Sequence, residues 1–143
     1  MPETNQTLVL LPMLAVVALT FVAFIKMAVA RAAAVKGGHD PAFYRAHLGA
    51  PEPEAATAAA RHWDNLFELP TLFYAGCLTA FVLGAVGTWT LVFAWGFALC
   101  RLAQSVIHMT SNNPGPRGLA FSLGAVFMLA LWLDVALSIV ARL

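Results

Sequence analysis

Arg61, Asn65 and Glu68 fall at offsets 0, 4 and 7 along the chain, and Arg101, Gln104, Ser105 and His108 at offsets 0, 3, 4 and 7. On an α-helix each set lies along a single face. Both stripes are carried by stretches otherwise apolar enough to cross a bilayer, where an ionised side chain costs about 3 kcal/mol even on the gentlest insertion scales. Such residues face a bundle interior, pair, or line a polar cavity. Seven residues put Glu68 about 10 Å below Arg61 and Arg101 about 10 Å below His108. In antiparallel helices Glu68 and Arg101 then share a depth, so the expectation is a buried ion pair between them. A pair alone would not need the further polar groups on the same two faces. The stripes are therefore read as the walls of a pocket that takes a small anionic or zwitterionic ligand through arginine–carboxylate contacts. Arg117, directly after Pro114-Gly115-Pro116, stands at the mouth of that pocket beside Arg61, with Arg31 nearby.

The elements that must hold these stripes follow from composition. The 143 residues are 61% hydrophobic and 10% charged, against about 45–50% and 25% in soluble domains. An ordinary water-soluble domain does not fit. Four stretches reach the roughly 20 apolar residues that a transmembrane helix needs: 8–30, 62–85, 88–109 and 118–140. The fold class expected is all-α, a transmembrane four-helix bundle forming one membrane domain over 1–143. The connection 31–61 is long and charged, with Gly37-Gly38, Pro41, Pro51 and Pro53 as breakers, and 55–60 reads as a helical lead-in to the second span. The Val86-Gly87 link makes spans two and three antiparallel neighbours. Arg31, Lys36, Arg45, Arg61 and Arg117 flank the first and third connections, while Arg142 stands alone at the other face. By the positive-inside rule the pocket mouth is cytoplasmic and both termini lie outside. Eight Lys and Arg against seven Asp and Glu leave no basic surface for a nucleic-acid partner.

Other residues receive quieter readings. Cys77 and Cys100 lie in apolar runs and are read as buried free thiols. The first apolar run is too long for a signal-peptide core and is kept as a span. His39, His47 and His62 are read as interfacial polar residues rather than haem or metal ligands. Pro70, two residues after Glu68, should kink span two near the pocket. Asp134 is read as a hydrogen-bonded carboxylate toward the outer end of span four, and Gly76, Gly84, Gly96 and Gly124 as close-packing positions.

The Arg61-x-x-x-Asn65-x-x-Glu68 stripe, with Arg101 and His108 on span three and Arg117 opening span four, resembles the MAPEG family, the membrane-associated proteins in eicosanoid and glutathione metabolism. The resemblance covers essentially the whole chain. It implies a bacterial-type, inner-membrane homotrimer of four-helix bundles that binds glutathione between subunits and acts as a transferase or peroxidase on small lipophilic substrates drawn from the membrane lipid. By that resemblance Arg61, Asn65 and Glu68 would contact the peptide, Arg101 would brace Glu68, and Arg117 would stabilise the thiolate. Arg31 would match a further arginine near the site, His108 falls where several relatives carry tyrosine, and Gln104 where they carry tyrosine or histidine. The sequence departs from the pattern at Gly118 and Phe121, where hydroxyl groups are expected near the thiol. A non-catalytic lipid-binding or scaffold member of the same fold is the alternative.

Overall fold

The computed structural model describes residues 4–143, and every regular element among them is helical. A 3-10 turn, Gln6–Val9, opened by the Asn5 side chain accepting from the backbone N–H of Thr7, leads into α1, Leu10–Lys36. The short α2, Phe43–Ala46, lies in the first connection. The second span is divided into α3, Glu54–Asn65, and α4, Leu69–Val82; α5 covers Thr88–Met109 and α6 Pro114–Val140.

Helix α5 occupies the residues expected of span three, and the other bounds differ for physical reasons. Helix α1 runs on to Lys36 because Arg31–Val35 is alanine-rich and contains no breaker before Gly37-Gly38. Helix α3 starts at Glu54, directly after Pro53, eight residues before the expected span. Helix α6 starts at Pro114, where proline's fixed φ suits a first turn and Asn113 accepts from the N–H of Gly115 at 3.1 Å. Pro70 sits in the first turn of α4, after an interruption at Leu66–Glu68 that ends α3. The expected kink is therefore a full break.

Helix α6 packs along α5, α3 along α1, and α4 against α6. In the core Phe73 and Phe97 stack with centroids 4.4 Å apart, surrounded by Val16, Cys77, Ala94, Leu131 and Val135. Glycines allow the helices to approach. A Cβ on Gly96 would sit 2.5 Å from the Phe127 ring, one on Gly76 would meet Leu131 and Trp132, and one on Gly124 would touch Cys100. Gly84 is the exception: no atom crowds it, and its φ of +60° serves the turn after α4, where a left-handed residue closes the helix end. Its reading as a close-packing residue is corrected accordingly. The two cysteines are free, Cys77 buried and Cys100 partly so. Outside this core, large apolar side chains including Phe21, Val82, Leu129 and Leu137 are exposed, as a surface solvated by lipid requires.

Lys26 donates from Nζ to the carbonyl of Met109, the last residue of α5, at 2.8 Å. That contact fixes the level at which α5 ends. The ten residues of α1 beyond Lys26, about 15 Å of helix, project past it together with the first turns of α3. The two form an overhang above the α5–α6 turn.

Candidate functional site

A cavity of about 690 Å³ opens beneath this overhang, between α3, the end of α5 and the start of α6. Arg61, Asn65 and Glu68 line it from the second span, Gln104 and His108 from α5, and Arg117, Gly118 and Phe121 from α6. The helical offsets read from the sequence thus converge on one space.

Arg101 lies behind that wall and is fully buried. Its Nη1 donates to Asn65 Oδ1 at 3.0 Å and to Gln104 Oε1 at 2.7 Å, and Gln104 Nε2 donates to the same Asn65 oxygen at 2.9 Å. The guanidinium is held between the rings of Phe97 and Phe121, 5.2 and 4.9 Å from their centroids, where cation–π attraction offsets part of the cost of burial. Nε and Nη2 have no protein partner.

The expected Glu68–Arg101 ion pair is absent. Among the described residues the one ion pair is Arg31–Glu52. Glu68 is exposed and accepts from Asn65 Nδ2 at 3.0 Å. The reason is the break: Glu68 has left the α3 spiral and caps α4 with φ −76° and ψ −93°, so its carboxylate reaches Asn65 and no further. Asn65 therefore connects the exposed carboxylate to the buried guanidinium, accepting with one end of its amide and donating with the other.

At the mouth Arg117 donates to Asn112 Oδ1. Asn112 is in the left-handed region, φ 49°, a conformation that asparagine tolerates better than most residues. The turn that reverses the chain thus also holds the arginine. Asn112, Glu54 and Asp64 line the cavity without having been selected from the sequence. Glu54 and Asp64 were accessible, since they stand seven before and three after Arg61 on the same face. Asn112 could have been found from the turn chemistry of its Asn-Asn-Pro run.

Three assignments move. Ser105 is buried away from the cavity, bonded through Oγ to His62 Nε2 at 2.9 Å. His62 is accordingly an interior residue rather than an interfacial one, because it faces inward, about 100° round α3 from Arg61, with its ring 4.8 Å from that of His108. Arg31 lines no part of this cavity: Nε pairs with Glu52 at 3.0 Å, and the guanidinium lies over the Tyr44 ring. Burial, and then the Glu52 carboxylate, raise the Tyr44 phenol above its ordinary pKa. His39 and His47 pack against Phe43 in the same loop cluster. At the opposite end of the bundle Asp134 accepts from Thr90 Oγ1 at 2.6 Å, the hydrogen-bonded carboxylate expected of it. Among the described residues no group of three His, Cys, Asp or Glu is placed to hold a metal ion.

Four apolar spans with a charged cavity at one end define an integral membrane protein. The family model for MAPEG matches residues 9–137, nearly the whole chain, and the chain belongs to the MAPEG family. No curated protein and no solved structure matches it.

Proposed function

We propose that the cavity binds glutathione, or a small thiol peptide of the same charge pattern, and that the protein transfers this thiol to, or reduces with it, small lipophilic substrates that arrive through the membrane. The observation that carries the reading is the sign alternation of the cavity wall: Arg61 and Arg117 for the two carboxylates of such a peptide, and Glu54, Asp64 and Glu68 for its ammonium. Arg117, held by Asn112, then favours thiolate over thiol by charge proximity. The cavity opens to one side of the subunit, and a homotrimer in an inner membrane, mouth toward the cytoplasm, encloses it with a neighbouring copy.

Calorimetry of the detergent-solubilised protein with glutathione tests the binding step. Saturable heat at one ligand per subunit is expected, and a flat titration ends the proposal. Gly118 and Phe121 line the cavity without a hydroxyl group, which favours a second reading: a lipid-binding or scaffold protein that holds the thiol without chemistry. Glutathione binding with no conjugation of an activated halonitrobenzene would select that reading. Native mass spectrometry reporting only monomer or dimer would remove the trimer.

A further inference from the structure

A second cavity, of about 530 Å³, lies on the other side of the α5 terminus, between α1, α3 and the α5–α6 turn. Its polar groups are Lys26 on α1, Glu54 and His62 on α3, His108 near the end of α5, and Thr110, Ser111 and Asn112 on the turn. We propose that this cavity is a lipid site that holds the head of an ethanolamine phospholipid, the phosphate on Lys26 and the ammonium toward Glu54.

The argument begins with donor arithmetic. A lysine ammonium has three N–H donors, and the protein uses one, on the Met109 carbonyl. Lys26 has no carboxylate partner, since the one ion pair among the described residues is Arg31–Glu52. Two donors and a full charge are therefore presented to the cavity. The level is that of lipid phosphates, because α5 ends at Met109 and α6 begins at Pro114.

Below the cavity the surface turns apolar on the faces that carry its lining residues. Val22 precedes Lys26 by one turn of α1, and Val106 and Leu102 precede Met109 by one and two turns of α5. All three are exposed. An acyl chain descending from a phosphate on Lys26 runs along these side chains. Glu54 narrows the choice of head: its carboxylate opposes a second negative charge and attracts a positive one. A head with one phosphate and one primary ammonium satisfies both ends, and the ammonium supplies hydrogen-bond donors that a trimethylated choline lacks. The site adjoins the thiol cavity, with Glu54, Ala58, His108 and Asn112 lining both, and Lys26, which lines this cavity and not the other, is the residue that sets it apart.

The test is native mass spectrometry of the intact protein in mild detergent, titrated with phosphatidylethanolamine, phosphatidylglycerol or phosphatidylcholine, with thermal unfolding of each variant beside it. Wild type should retain phosphatidylethanolamine best. Lys26→Gln keeps an N–H for Met109 and loses the charge, so retention should fall about tenfold, the worth of one charge-assisted hydrogen bond, while Lys26→Arg should restore it. Glu54→Gln should erase the preference over phosphatidylglycerol. Equal retention by wild type and Lys26→Gln overturns the site, as does displacement of the lipid by millimolar inorganic phosphate, which would identify a free-anion site. Should Lys26→Gln unfold, the head-group preference of wild type decides alone: no preference for phosphatidylethanolamine refutes the proposal.

Discussion

Substituting Asn65 separates a relay from a pair. Were Glu68 bonded directly to Arg101, Glu68→Gln would leave a guanidinium uncompensated in the interior and cost about 3–5 kcal/mol. In the structure Glu68 is exposed and bonded only to Asn65 Nδ2, and water replaces what the substitution removes, so the cost should stay below about 1 kcal/mol. Asn65→Leu acts differently. It withdraws the oxygen that receives Arg101 Nη1 at 3.0 Å and Gln104 Nε2 at 2.9 Å, one charged and one neutral bond to buried donors. The charged bond contributes about 1.5–3 kcal/mol and the neutral one about 1, and the leucine's own burial returns part, leaving about 2–3 kcal/mol. Unfolding in mixed micelles, followed by the fluorescence of Trp63 two residues away, measures both variants. Asn65→Leu should cost at least twice as much as Glu68→Gln. Equal losses, or a larger loss at Glu68, would refute the relay and restore the direct pair.

Gly96→Ala places a methyl group 2.5 Å from the Phe127 ring and should destabilise by about 1–3 kcal/mol, with Phe127→Leu in the same chain recovering part of it; strictly additive losses would contradict the packing account. Ser105→Ala removes the partner of the buried His62 Nε2 and should cost about 1–3 kcal/mol without weakening glutathione binding, since Ser105 lies outside the cavity; a binding defect at unchanged stability would place it inside. For Arg117, the ultraviolet absorbance of bound thiolate followed as pH is raised should show wild type ionising the thiol at lower pH than either Arg117→Ala or Arg117→Lys. Three coincident titrations would remove Arg117 from the site.

Helix periodicity made the cavity wall legible in the sequence: Arg61 and Asn65 on α3, Gln104 and His108 on α5, and Arg117 at the mouth meet where the offsets place them. Offsets fail where the helix does. The interruption at Leu66–Glu68 took Glu68 off the spiral on which its depth had been reckoned, and so dissolved its pairing with Arg101. Ser105 shares a stripe with Gln104, but consecutive residues stand about 100° apart round a helix, and that turn directs Ser105 to His62 instead. Arg31 was misplaced by a loop whose length alone says nothing of its path, which brings Glu52 and Tyr44 back onto the end of α1.

The same interruption has a consequence for the bilayer. Helix α4 is 14 residues long, about 21 Å, which falls short of the roughly 30 Å of a hydrocarbon core. Non-helical backbone at membrane depth persists only where it is enclosed by protein or wetted by a water-filled cavity. Asn65 just before the interruption and Glu68 at its end line the open cavity, which leaves α4 as the insulating layer at this point, thinner than the surrounding lipid. The transmembrane voltage therefore falls across α4 rather than across the whole second span. A charged molecule moving between the cavity and the adjoining solution crosses little of that field, and its affinity is insulated from changes in membrane potential.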